Sequence, residues 1–179
     1  MLFPLPLFEI VSYIYPQTLL TVLLPPLHQP DTQLQSRATM TVVTGSDKTT
    51  AATEPFSNGE ARGIINTTID TLSPELCTVN NTIHSNPEEG YEEGLAHKTL
   101  TKFLEGRRFA VTRHAYGIDT SFEATFGSGG RQVVFCAEYD ALPGIGHACG
   151  HNLIATSPLA AFLGAAEVLP KMKVLTQNL

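Results

Sequence analysis

One stretch of the chain limits its possible folds more than any other: a polar, glycine-rich segment that separates two strongly apolar runs. The run before it, residues 133–136, is continuously apolar, which predicts a strand buried on both faces. The run after it, residues 151–169, is apolar and alanine-rich, which predicts a buried helix. A buried strand that leads through a loop into a buried helix is typical of α/β folds, where ligands bind outside the carboxyl ends of the strands.

Helical periodicity dominates the chain before that strand. From Ile64 to Ile83, apolar residues recur every three or four positions, which predicts an amphipathic helix. Pro74 lies inside this pattern, so the helix either kinks there or starts again with Ser73 as its cap. Asn86, followed by a proline and two glutamates, predicts the start of a second helix.

The second helix is predicted to end at Gly106. The period then changes to two in residues 109–113 and 121–126, which predicts strands, and a glycine-rich stretch predicts a tight turn into a strand at residues 131–137. Helices and strands in this order predict an α/β fold, with order beginning near Ala61. The residues expected on the inner face of the second helix are Tyr91, Leu95, Leu100, Phe103 and Leu104.

The first 60 residues differ from the rest. Residues 1–27 are strongly apolar, but no lysine or arginine precedes the run, and prolines and Glu9 interrupt it. Two interpretations stay open: a targeting or anchoring segment, and an upstream extension that is not part of the working protein. Residues 28–60 are polar and rich in serine and threonine, which predicts a disordered linker. We therefore predict an extension over residues 1–60 and a folded part over residues 61–179.

The charge of the chain excludes some classes of partner. A net charge of −6 and a pI near 5.4 argue against nucleic acid or an anionic membrane as the main partner, and no cluster of basic residues speaks for either. Three scattered cysteines are too few for a disulfide framework. The odd count favours a reducing compartment, so we expect a cytoplasmic location.

The glycine-rich segment carries residues that suit a metal ion. Cys149 and His151 are separated by one residue, so an extended backbone would project both side chains to the same side. Thiolate and imidazole together suit zinc or a similar divalent ion. Glycines in the same loop allow sharp turns around one point. Asp140 lies where a carboxylate could accept the second N–H of a ligating histidine.

Each of these residues also has a structural explanation. Cys149 could be a small buried apolar residue, Asp140 could cap a turn, His147 could be a satisfied loop histidine and Glu138 could be a solvated strand end. Cys136 is assigned to the core because it lies in the middle of the predicted strand. The cysteine–histidine pair could also be a nucleophile and its base, although side chains two residues apart seldom point at each other. The spacing alone therefore leaves the question open.

Three motifs in order connect the chain to a known family. They are IHSNPEEGYEE at residues 83–93, EYDALP at residues 138–143 and GHACGHN at residues 146–152. Through them, residues 69–169 resemble the N-terminal part of the M20 metallopeptidase family, in its amidohydrolase branch, and especially the aminoacylase-1-like M20-domain-containing dipeptidases.

The resemblance implies a three-layer αβα catalytic domain that holds two divalent ions, zinc or manganese. It assigns Cys149 and His151 as metal ligands and Asp140 as the catalytic-site residue that orients a ligand. A metal-bound water would attack the amide carbon of a dipeptide or an N-acyl amino acid.

Two departures from the family pattern matter. Many relatives have aspartate where this chain has Asn152. The relatives are also much longer, and they continue into a Glu-Glu pair with the general base and a ligand, two ligating histidines and a lid domain that mediates dimerisation. The sequence ends before these features, so we expect this chain alone not to catalyse hydrolysis and a homodimer to require the longer form. The alternative is a non-catalytic interaction or decoy protein.

Overall fold

The computed structural model describes residues 18–24, 57–128 and 131–176. In the described part, one mixed sheet and three long helices form an α/β fold, as the sequence predicts. The elements in chain order are β1 (Thr18–Leu24), α1 (Asn58–Ser85), α2 (Gly94–Glu105), β2 (Ala110–Arg113), β3 (Phe122–Gly127), β4 (Arg131–Cys136) and α3 (His151–Thr176).

The sheet has the order β2-β3-β1-β4. β1 is parallel to β3 and antiparallel to β4, and β2 is antiparallel to β3. β3 and β4 are therefore not neighbours, although only a short connection separates them in the chain. The tight turn predicted between them includes residues 129 and 130, which lie outside the described residues, so it stays a prediction. The two strands do not pair with each other, because β1 lies between them.

The position of β1 differs from the interpretation of residues 1–60 as an extension outside the fold. Leu20, Thr21 and Val22 are consecutive and all at most 3% exposed, so both faces of the strand are covered. An uncharged apolar strand is suited to such a central position. From the sequence, this run was interpreted only as a possible bilayer-spanning or targeting segment or as an unused extension. Residues 57–60 of the predicted disordered linker are instead the cap and first turn of α1, so that end of the prediction is wrong. The rest of the predicted targeting segment and linker falls outside the described residues and stays a prediction.

The first predicted helix is confirmed as α1. It begins at a capping box, in which Ser57 and Glu60 bond each other's backbone N–H groups, and it continues through Pro74. The alternative in which a new helix starts at Ser73 is wrong, because the chain stays helical on both sides of the proline.

The predicted start of the second helix at Asn86 is also wrong. Asn86 ends α1, and α2 begins only at Gly94. The intervening residues are held elsewhere: Glu89 forms a β-bridge with Ala141, and Tyr91 adopts a left-handed conformation with φ of 69°. The predicted end at Gly106 is confirmed. On the predicted inner face Leu100 and Leu104 are buried and Phe103 packs against the core, whereas Tyr91 and Leu95 are exposed.

β4 is less buried than its apolar sequence predicts. Val133 and Val134 are 39% and 38% exposed, and Cys136 is also exposed, so the assignment of Cys136 to the core is wrong. The reason is the position of β4 at an edge of the described sheet, where only β1 pairs with it. The pKa of the Cys136 thiol is nevertheless raised, first by partial burial and second by the nearby Glu138 carboxylate.

The buried helix predicted after the polar segment is confirmed as α3. It packs along α1 and against β1, while α2 packs against β2 and β3. α3 is the one helix of the described part that is long and apolar enough to cross a membrane, but many of its residues are buried in the fold. Those in the core include Ala155, Leu159, Phe162, Leu163 and Leu169.

Candidate metal centre

The polar segment leaves β4 in an extended conformation whose residues alternate between core and surface. Ala137, Tyr139 and Ala141 are at most 4% exposed. Glu138 and Asp140, between them, keep side chains that are 28% and 24% exposed. Since alternate residues of an extended chain point to opposite sides, both carboxylates project away from the core at this end of the sheet.

A closed loop and a short turn follow. Leu142 and Gly146 exchange two backbone hydrogen bonds of 2.9 and 3.1 Å, and a 3-10 turn spans His147–Cys149. Gly150 then takes a left-handed conformation with φ of 81°, which turns the chain into α3. The predicted use of glycines for sharp turns is confirmed. The extended backbone predicted between Cys149 and His151 is wrong, because this turn and the first residue of α3 replace it.

The turn places His151 between the two carboxylates. Its Nδ1 lies 2.6 Å from Oδ1 of Asp140, and its Nε2 lies 3.4 Å from Oε2 of Glu138. When Nδ1–H donates to Asp140, the lone pair is on Nε2, which is the atom left to bind an ion. The structure thus brings Asp140 to His151 in the way that the predicted orienting role requires; the role itself stays a prediction.

Cys149 is half-buried and also approaches Asp140. Its thiol donates a long hydrogen bond of 3.8 Å to the Asp140 backbone carbonyl. Asp140 therefore contacts both predicted metal ligands, Cys149 through its main chain and His151 through its carboxylate. The three residues singled out from the sequence lie together at one point of the fold.

His147 links this loop to α1. Its Nε2–H donates to the Ile83 carbonyl at 3.1 Å, and its ring stacks on that of His84 with centroids 6.2 Å apart. Nδ1 is buried without a hydrogen-bond partner in the described structure. Burial lowers the pKa of His147 below its usual range. The interpretation of a satisfied loop histidine therefore holds for one ring nitrogen and not for the other.

The three sequence motifs converge in space. Besides the His147–Ile83 bond, the Ala141 amide donates to the Glu88 carbonyl at 2.7 Å. The first motif thus contacts the second and the third. Asn152, where the chain departs from the family pattern, is 5% exposed and donates to Asn80 of α1 at 2.8 Å, which ties the start of α3 to α1.

Sequence reasoning missed two residues near this centre. Glu138 was considered only as a solvated strand end, and Tyr139 was given no role. Their alternation with Asp140 was the available signal, because an extended segment that buries Tyr139 must turn Glu138 to the same side as Asp140. Asn80 was also missed, because a contact between positions so distant in the chain has no local sequence signal.

The donor atoms of Cys149 and His151 are of the types that bind a divalent ion, but they are too few to fill its coordination shell. Thiolate and imidazole are zinc ligands, and Asp140 holds the histidine as a carboxylate behind a ligating imidazole does. Within the described residues, however, no group of three or more histidine, cysteine or acidic side chains is placed to hold a metal. A catalytic zinc needs three protein ligands, so the described residues alone do not complete such a site.

Comparison with known proteins finds relatives over part of the chain. The chain is 43% identical over 112 residues to the mouse Xaa-Arg dipeptidase and 42% identical over 120 residues to the human Xaa-Arg dipeptidase. It is 34% identical over 104 residues to one of the subunits of the p-aminobenzoyl-glutamate hydrolase of Escherichia coli strain K12. These similarities support the resemblance to the M20 peptidases and amidohydrolases that the three motifs carry. The matches cover 56%, 58% and 49% of this chain.

The matched region is a small part of each relative. The chain spans about a quarter of the length of the curated relatives it matches: 26%, 27% and 22%. No family model matches the chain. The similarity therefore bears only on the matched part of each relative.

Proposed function

We propose that this chain contributes part of a metal-dependent hydrolase that cleaves the amide bond of dipeptides or N-acyl amino acids. The observation that carries the proposal is the convergence of Cys149, Asp140 and His151, with the histidine Nδ1 2.6 Å from the aspartate. The names of the relatives supply the substrate class: two are dipeptidases, and one is a hydrolase of p-aminobenzoyl-glutamate.

In this proposal the ligands are Cys149 and His151, and the ion is Zn²⁺ or Mn²⁺. Such an ion would supply a bound water of lowered pKa and a Lewis acid for the amide carbonyl. The role of Asp140 is to keep the proton of His151 on Nδ1, so that Nε2 remains a lone-pair donor. Glu138 lies 3.4 Å from that nitrogen, so its carboxylate has to yield when an ion binds there.

A chimera tests the proposal. The segment of the mouse Xaa-Arg dipeptidase that matches this chain is replaced by the corresponding residues of the chain, and hydrolysis of a dipeptide with C-terminal arginine is measured. We expect a folded, active chimera whose kcat/KM falls at least about 100-fold when Cys149→Ser removes a ligand.

Cys136→Ser is the matched control, because it makes the same change at an exposed cysteine that lies outside the candidate centre. It should leave kcat/KM within about twofold, as expected for a surface change away from the site. A folded chimera in which Cys149→Ser is as active as Cys136→Ser would contradict the assignment of Cys149 and with it the proposed site.

The alternative is a non-catalytic interaction or decoy protein. The same chimeras separate the two functions, because a decoy sequence need not support turnover after transfer into the dipeptidase. In the 179-residue polypeptide itself we expect no measurable dipeptide hydrolysis, because the proposal assigns two ligands and a catalytic zinc requires three.

A further inference from the structure

We propose that Tyr139 is a positioning residue for the candidate metal centre: its buried hydroxyl fixes the segment from which Glu138 and Asp140 reach His151. This inference rests on the proposed function, which assigns a metal ion to the centre. It adds a residue that acts through its two neighbours in the chain.

The tyrosine is anchored at both its ring and its hydroxyl. The residue is 0% exposed, and its ring stacks on Phe122 of β3 with centroids 6.4 Å apart. The hydroxyl donates a hydrogen bond to the Thr120 carbonyl. A buried hydroxyl that loses its acceptor carries a desolvation penalty, so this bond resists any movement of the side chain.

The acceptor is itself fixed by other elements. The Thr120 carbonyl also receives a hydrogen bond of 2.9 Å from Nδ1 of His97, which is 5% exposed on α2. The next residue, Ser121, is 0% exposed and donates its amide N–H to Ile118 at 3.1 Å. One carbonyl thus joins α2 and the segment after β4, and it cannot move without disturbing both.

The anchor, meaning the contacts of Tyr139 with Phe122 and Thr120, acts on the two neighbouring carboxylates. Tyr139 lies between Glu138 and Asp140, so a shift of its backbone moves both away from His151. The second fixed point of the segment is the Ala141 amide, which donates to Glu88 at 2.7 Å. The short Asp140–His151 contact of 2.6 Å tolerates little displacement, and changes in the groups that hold metal ligands weaken metal sites about 10–100-fold.

The test compares Tyr139→Phe with Tyr91→Phe in the 179-residue polypeptide. Both remove one phenolic hydroxyl, but Tyr91 is 68% exposed and lies outside the anchor. The first readout needs no metal: hydrogen exchange of the Ala141 amide relative to the Phe162 amide in the core of α3. Loss of positioning lowers protection at Ala141 at least about 10-fold more than at Phe162, because local opening exposes only the segment.

The second readout is the affinity for Co²⁺ alone, followed by the absorption of the cobalt–thiolate. We expect Tyr139→Phe to raise the dissociation constant about 10-fold and Tyr91→Phe to leave it unchanged. Equal loss of protection at Ala141 and Phe162 would overturn the inference, since Tyr139 would then only stabilise the core. When the wild-type chain binds Co²⁺ more tightly than Cys149→Ser does, an unchanged cobalt affinity in a folded Tyr139→Phe variant would overturn it as well.

The two proposals fail separately. If the wild-type chain binds Co²⁺ no better than Cys149→Ser while Ala141 loses protection selectively in Tyr139→Phe, the anchor stands and the metal centre falls. If Tyr139→Phe does not fold, hydrogen exchange of the wild-type chain tests the inference. The Ala141 amide must then exchange as slowly as the Phe162 amide, and faster exchange at Ala141 through local opening overturns the inference.

Discussion

Two histidines of this chain use the same nitrogen in opposite surroundings. His97 donates from Nδ1 to a backbone carbonyl in the interior and is 5% exposed. His151 directs Nδ1 to a carboxylate at the surface, and its side chain is 19% exposed. The second nitrogen separates them further: in the described structure Nε2 of His97 is buried without a hydrogen-bond partner, whereas Nε2 of His151 faces the Glu138 carboxylate.

The difference shows how the segment that contains Glu138, Tyr139 and Asp140 serves two purposes. On its inner side, the Tyr139 hydroxyl and Nδ1 of His97 both donate to the buried Thr120 carbonyl. On its outer side, Asp140 and Glu138 flank His151, whose side chain is 19% exposed. We therefore expect changes on the inner side to lower the free energy of unfolding, and changes on the outer side to affect binding with little loss of stability.

The largest effect is expected at Tyr139. Replacing it with alanine removes a fully buried ring and its hydroxyl, which should lower the free energy of unfolding by about 3–5 kcal/mol. Urea denaturation followed by circular dichroism measures the change. Tyr91→Ala is the control and should stay within about 0.5 kcal/mol, because this ring is exposed. Equal losses for the two variants would show that Tyr139 is not part of the core.

A smaller effect is expected from the titration of His97. Burial lowers the pKa of His97, with neighbouring His114 and Arg113 acting in the same direction and its bond to Thr120 opposing them. A lowered folded pKa means that the unfolded chain binds the proton more readily. The contribution of His97 to stability is therefore complete above the unfolded pKa near 6.5 and is lost as the pH falls through the folded pKa.

His97→Asn isolates this contribution, because an asparagine Nδ2 can still donate to Thr120 but does not titrate. Unfolding curves between about pH 7.5 and about pH 5 should become flatter for the variant than for the wild-type chain. The pH dependence of stability that remains in the variant includes the titration of His147, whose pKa is also lowered by burial. An identical pH profile for variant and wild type would mean that His97 does not titrate differently in the folded state.

What the sequence could predict depended on how local the signal was. Short-range patterns or motifs predicted the helical periodicity of α1, the apolar, alanine-rich run of α3, the period-two strands and the grouping of Cys149, Asp140 and His151. The central position of β1 did not, because pairing between Thr18–Leu24 and strands far along the chain leaves no periodic trace. The exposure of Cys136 was missed for the same reason: its sequence is that of a central strand, but its neighbours place it at an edge.

The smallest effect on stability is expected at Asp140. Its contrast with Tyr139 is the sharpest test of the distinction between the inner and outer sides of the segment. Asp140→Asn keeps an oxygen that can accept from His151 and removes only the charge of a side chain that is 24% exposed. The free energy of unfolding should change by less than about 1 kcal/mol, as for a partly exposed hydrogen bond. Co²⁺ affinity measured on the same sample should fall, because a neutral amide makes His151 a weaker ligand. A loss of stability as large as that of Tyr139→Ala would show that Asp140 belongs to the interior network, and the distinction between the two sides would then fail.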